Sequence, residues 1–229
     1  MTEILITDVT RMRRPNICVA GFAGGKTVRL DSPTPTEELL APSGGLRPGD
    51  VVDVFWRPRG DTRPPHVEDG DWRKASLRHI RRIGLPALTR FLQEHALSSV
   101  CEAFGDPKLT GKGGNPAFPH GVGDRSLASV LARNLRVRIT YNRPRVEFAD
   151  ASDTWKNLPF EDLMIHQHLD NCSHCRTSPE QALAAEFDCE RAVLRVGLGR
   201  PFASDEYPAA CWMQVNGVYP IPLRRKHFV

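Results

Sequence analysis

Apolar residues fall in short, β-branched runs along most of this chain, and turn residues separate the runs. Ile4, Leu5, Ile6 and Val9 mark a first strand over 3–9, followed by the polar turn Arg11-Met-Arg-Arg-Pro-Asn16. Ile17-Cys-Val-Ala-Gly-Phe22 reads as a second strand, Gly24-Gly25 as a hairpin turn, and Thr27-Val-Arg-Leu30 as the returning strand. A Pro/Ser/Gly-rich loop over 31–49 leads into the strand Asp50-Val-Val-Asp-Val-Phe-Trp56, a Pro/Arg/Gly loop over 57–65, and a short extended segment over 66–69. Strands at this spacing predict a small barrel or sandwich rather than a βαβ layout.

The middle of the chain changes period. Leu77, Ile80 and Ile83 recur every three residues in a basic stretch over 72–83, and Leu88, Phe91, Leu92, Ala96 and Val100 predict a helix over 85–104 with Pro86 in its first turn. A Gly/Pro-rich loop spans 105–123, and its Gly111-Lys-Gly-Gly114 lacks the spacing of a phosphate-binding loop.

The last third returns to β. Segment 135–141 alternates apolar with basic residues, which buries one face and leaves the other positive; 142–145 is a turn and 146–148 the returning strand. A short helical crossover is expected over 157–169. A second helix over 178–187 has Ser178 as cap, Pro179 at its first position and Gln181 at capping-box spacing. Two strands close the pattern, over 191–198 and 211–219, with Leu194, Val196, Leu198, Trp212 and Val215 as core and Arg195 and Arg200 as further contact candidates.

With 229 residues, 40% hydrophobic and 25% charged, the chain fits a soluble globular protein of one large or two small domains. No run approaches the roughly 18 apolar residues of a membrane helix. Residues 1–8 carry no signal-peptide pattern, so a cytoplasmic location and no membrane partner are expected. The net charge of +4 is mildly basic, with arginine outnumbering lysine. In that setting the six cysteines are expected as thiols or metal ligands, with Cys18 and Cys211 as core residues.

Several pieces, in order along nearly the whole chain, resemble the dual OB-containing domain family. They are Ile4-Leu5-Ile6, Arg11 to Arg14, Cys18-Val-Ala-Gly21, Thr27-Val-Arg-Leu30, Gly49-Asp50-Val-Val, Pro65-His66-Val-Glu-Asp69, Arg125-Ser-Leu127, Leu158-Pro159, Leu198-Gly-Arg-Pro-Phe202, and Trp212 with Val215-Asn-Gly-Val-Tyr219. The resemblance implies a mostly β (α+β) fold: two OB-like β-barrels joined by a helical segment. The first barrel would span 1–84, a helix and Gly/Pro-rich connector 85–130, and the second barrel 131–229 with a Cys/His-containing insertion at about 160–190. It also implies a bacterial protein that binds nucleic acid, in defence or nucleic-acid processing, with no catalytic residues to carry over.

In such a barrel, single-stranded DNA or RNA lies across the middle strands, with phosphates on basic residues and bases on aromatics. The arginine clusters are then the candidate contacts: Arg11, Arg13 and Arg14 in the first turn; Arg57 and Arg59 after Trp56; Arg136 and Arg138 on one strand face; and Arg143 and Arg145 in the hairpin beyond. Each cluster also reads as an ordinary solvated charged face, and Trp56, at the end of an apolar run, as core.

His166-Gln-His168-Leu-Asp-Asn-Cys172-Ser-His174-Cys175 is the densest chemical constellation. Its Cys-x-x-Cys offers two thiolates to one zinc, with Cys189 as a distant third ligand and His168, or alternatively His166, as the fourth. A structural zinc would tie down an insertion with little core of its own. A redox pair, a hydrolytic metal site using Glu161, Asp162 and Asp170, and an exposed Cys/His-rich loop are the competing readings. The function expected is nucleic-acid binding without catalysis. A metal-dependent nucleic-acid processing enzyme and a protein-interaction adaptor are the alternatives.

Overall fold

The strand runs close into two rings. In the first, β1 (Thr2–Arg11), β2 (Ile17–Ala23) and β3 (Lys26–Ser32) form an antiparallel meander. The β2–β3 hairpin turns on Gly24 and Gly25 at φ 55° and 79°, the left-handed region that glycine enters without steric cost. β4 (Asp50–Val54) and β5 (Trp56–Pro58) are one run of chain broken at Phe55. Its first half pairs antiparallel with β1 and its second half with β6 (Asp69–Trp72), which in turn lies parallel to β3. The ring therefore closes in the order β1-β2-β3-β6-β5/β4-β1, and β7 (Arg78–Arg82) adds an outer edge to β4. Inside sit Ile4, Ile6, Val19, Val28, Val52 and Val54.

The computed structural model describes residues 1–40, 45–111, 114–171, 178–204 and 207–222. Between the rings lie α1 (Leu85–Glu94), β8 (Ala96–Leu97), α2 (Val100–Phe104), β9 (Leu109–Thr110) and β10 (Pro116–Pro119). The single helix expected over 85–104 is thus two. Ala96 and Leu97 pair in parallel with Ser129 and Val130, and that long-range pairing overrides the local helical period. The basic stretch 72–83 ends in the exposed strand β7, and the loop expected over 105–123 contains two short strands.

The second ring repeats the order of the first. β11 (Leu127–Thr140), β12 (Arg143–Ala149) and β13 (Thr154–Pro159) form an antiparallel meander. α3 (Leu163–Asn171) and α4 (Pro179–Phe187) then lead to β14 (Cys189–Leu198), which pairs antiparallel with β11. β15 (Phe202–Ser204) and β16 (Tyr207–Pro220) follow, and β16 lies antiparallel to β14. A parallel bridge from Phe160 to Val215 joins the end of β13 to β16. β11 begins inside the stretch expected as connector. The hairpin turns on Tyr141 and Asn142, one residue earlier than the expected 142–145. The expected crossover over 157–169 divides into the end of β13 and α3. The cap of α4 is as the sequence predicts: Ser178 Oγ accepts from Gln181 N, and the Gln181 side chain accepts from Ser178 N.

Buried polar contacts lock the rings together. Arg195 of β14 grips Asp8 of β1 with both side chains fully buried, so it is a structural residue and not a ligand contact. Glu68 accepts from the backbone N–H groups of Ser126 and Leu127 and from Ser126 Oγ. Leu163 of α3 sits in the first ring's core. Under α1, Leu88 and Leu92 pack on Val193 and Tyr219. Trp212, expected as core, is half-buried on the opposite side of β16 from Cys211 and Met213 and meets Tyr207 edge-on at 5.5 Å.

Candidate nucleic-acid interface

The β11–β12 hairpin gathers four of the sequence-predicted arginines onto one face. Leu135 and Val137 of β11, with Pro144, Val146 and Phe148 of β12, point inward and are buried, so the alternate positions must face out. Register then sets Arg138 opposite Arg145, Thr140 opposite Arg143 and Arg136 opposite Glu147. Arg136 and Arg138 share one carboxylate, Asp188, at 3.9 and 3.5 Å. Among the described residues, neither Arg143 nor Arg145 is paired with a carboxylate. Arg145 Nε is buried without a hydrogen-bond partner. Burial pushes its guanidinium down from the ordinary arginine value; Glu161 opposes that shift and Arg143 adds to it. Crowded like charges with an unmade donor favour an anion at this face.

Tyr141 stands at the tip of the hairpin and is 93% exposed. It and Asn142 have φ of 50° and 59°, the paired left-handed turn that suits strand twist. Exposed Lys156 of β13 extends the same outer surface. The sequence pattern did not single out either residue. The available signal for Tyr141 was an aromatic beside Asn at the reversal of an alternating run.

Most of the other predicted arginines are spoken for. Arg57 donates twice to Asp71, and Arg59 is shared between Asp61 and Asp31. Arg14 pairs with Glu37 and Asp170. Arg11 Nη1 lies 3.0 Å from His166 Nδ1. Since arginine only donates, Nδ1 accepts; Nε2 lies 3.2 Å from Glu161 Oε2 without making a hydrogen bond. Arg13 is exposed and lines a cleft between the rings. Trp56 is half-buried against the first core, donating to Arg29 O, in keeping with its reading as core.

Of the zinc set, His168 lies on α3 and Cys189 at the start of β14, packed in the second core. Cys172 and Cys175 lie outside the described residues. Among the described residues, no group of three His, Cys, Asp or Glu side chains is placed to hold a metal ion. No helix among them is long and apolar enough to cross a membrane.

No family model matches the chain, and no curated protein does. Among solved structures, the crystal structure of the tetrameric p202 HIN2 aligns over 93% of this chain and 90% of that one, at 11% identity and a TM-score of 0.33. At that score the likeness carries no weight beside the chain's own strand order and side chains.

Proposed function

We propose that this chain is a non-catalytic nucleic-acid-binding protein built on two OB-like barrels, with single-stranded DNA or RNA as its partner. The observation that carries the reading is the outer face of β11 and β12, where Arg136, Arg138, Arg143 and Arg145 converge beneath exposed Tyr141. The barrel reading is supported by the identical order of the two rings: a three-stranded meander, a fourth strand antiparallel to the first, and a fifth parallel to the third. In an OB barrel, oligonucleotides use the face of strands two and three and the loop between strands one and two. Here those are β12, β13 and the Tyr141 turn. A role in bacterial defence or nucleic-acid processing belongs to the same proposal and rests on the family resemblance; a cytoplasmic location belongs to it too and rests on the sequence pattern of residues 1–8. So does a structural zinc on His168, Cys172, Cys175 and Cys189, which rests on their spacing.

The test is fluorescence anisotropy with labelled single-stranded DNA, RNA and duplex at two salt concentrations. Binding should weaken steeply with salt, by a log–log slope of about −0.7 per phosphate contact on a single strand. R138E/R145E should abolish it. Binding that ignores both salt and this double substitution rejects the interface, and a cleaved product identifies an enzyme instead.

A further inference from the structure

The cleft that Arg13 lines, of about 410 Å³, opens at the seam between the rings. That volume and place are ordinary for a small-ligand site. Its walls are apolar on both sides, with Ile17 and Leu30 from the first ring and Leu127 and Leu198 from the second. Four guanidinium-bearing residues line it, Arg11, Arg13, Arg29 and Arg200, against a single lining carboxylate, Asp31. Asp69 pairs with Arg29 and Arg200 and offsets part of that charge.

Arg29 is the telling residue. It is only 6% exposed, with one Nη facing Asp69 and the other donating to Ser126 Oγ, yet its Nε has no partner. A buried charged donor left unsatisfied is costly, and an anion oxygen would relieve it. Burial first, then Arg29 and Arg200, hold nearby His66 down to about 4, while Asp69, Glu68 and Asp31 oppose burial and hold the Arg29 guanidinium above its ordinary value.

The second ring supplies neutral recognition. Gln214 Nε2 donates to Asn216 Oδ1, and both amides line the cleft. Asn216 has room only because residue 197 is glycine: a Cβ there would sit 2.8 Å from Asn216 Nδ2 and 3.1 Å from Leu127 Cδ2. Cys18 also lines the cleft, but burial pushes its thiol up, so it is a wall and not a nucleophile.

Guanidinium groups beside apolar walls and paired carboxamide edges match a phosphate, a flat ring and a polar base edge. We propose that the seam cleft binds one nucleotide unit, with the phosphate on Arg13 and Arg29 and the base edge on Gln214 and Asn216. The site shares no residue with the β11–β12 face and does not depend on it. The unit is supplied either as a free nucleoside 5′-monophosphate or as the phosphorylated end of a strand.

Calorimetry on the full chain decides between them. The probes are AMP, GMP, CMP and UMP, together with a single-stranded decamer bearing either a 5′-phosphate or a 5′-hydroxyl. R13E changes an exposed side chain, Q214A removes a carboxamide, and circular dichroism confirms that both variants fold. The expected result is monophosphate binding that R13E weakens at least tenfold and Q214A several-fold, with R138E/R145E leaving it, and any preference for the 5′-phosphorylated decamer, unchanged. Binding of a free monophosphate identifies the first source. A tenfold preference for the 5′-phosphorylated decamer, lost in R13E, identifies the second. The proposal falls if no monophosphate binds and the two decamers bind alike, if R13E and Q214A leave monophosphate binding and the 5′-phosphate preference intact, or if R138E/R145E removes the monophosphate binding. Failure of the 5′-hydroxyl decamer to bind the unaltered protein counts only against the β11–β12 face.

Discussion

Asp8 and Arg195 meet at 2.7 Å with no solvent reaching either side chain, although 187 residues separate them along the chain. Thr7 Oγ1 donates to the same carboxylate and Ser129 Oγ accepts from the guanidinium. Removing one partner of such a pair strands the other charge, at a cost of about 3–5 kcal/mol. D8A should therefore lower the urea-unfolding free energy by about that much. D8A/R195M should recover much of the loss, because no buried charge is left. Equal losses in D8A and D8A/R195M would show that the stranded guanidinium is not the source of the cost.

Acid should attack the structure at Asp150. Burial alone would raise this carboxyl, but the N–H groups of Val100, Asp153 and Ser152 and the Ser152 hydroxyl overcome burial and hold it below its ordinary value. Trp155 Nε1 donates to it as well. A depressed folded value means the stabilisation is complete above the unfolded value of about 3.9 and is lost as pH falls through the folded one. D150N should lower stability at pH 7 by about 1–3 kcal/mol and flatten the decline below pH 4. Asp50 is also held low, by Arg82, His79 and the Arg47 N–H against burial, so part of the decline should persist. Thermal melts from pH 7 down to pH 2 measure both effects.

Tyr141 should separate binding from stability. Glycine at its left-handed φ of 50° relieves strain of about 1 kcal/mol, so Y141G should melt no lower than the parent. The same change removes a stacking ring worth about 1–3 kcal/mol of single-strand affinity. Anisotropy and melting run on one preparation test both halves.

Gly70 permits a close approach. A Cβ there would lie 2.1 Å from Trp56 Nε1, which donates to Arg29 O. G70A should displace the indole and destabilise by about 2–4 kcal/mol, with a shifted tryptophan emission before unfolding. An unshifted spectrum with full stability would mean that β5 yields without cost.

Metal content tests the zinc set directly. Protein purified without chelator should carry one zinc per chain, and C172S/C175S should lose it. A metal-free chain that folds normally rejects the four ligands together.

Local features were legible from sequence because their causes are local. Ser178, Pro179 and Gln181 announce a helix start at fixed offsets, Gly24-Gly25 a tight turn, and the alternation of Leu135 to Ile139 a strand with a basic side. What escaped was set by partners far along the chain. Arg195 looks like any strand arginine until Asp8 is beside it. The 85–104 run keeps a helical period, yet two of its residues join β11. That Arg145 lands opposite Arg138 follows from register, which the short turn at Tyr141 and Asn142 fixes and an isolated run of residues does not. The hollow of Arg29 and Asn216 combines residues from opposite ends of the sequence, so no spacing motif could reveal it.

The stitching of β1 to the last two strands also governs how the chain reaches its folded state. Tyr219 donates to Thr7 O across 212 residues, and Arg195 neutralises Asp8 across 187. During synthesis the first ring emerges with Asp8 already destined for burial at the seam and no counter-charge yet made. Its docking face stays uncompensated until β14 and β16 leave the ribosome. The high sequence separation of these contacts places the protein among slow folders, and chaperone demand should peak in the interval between the two rings.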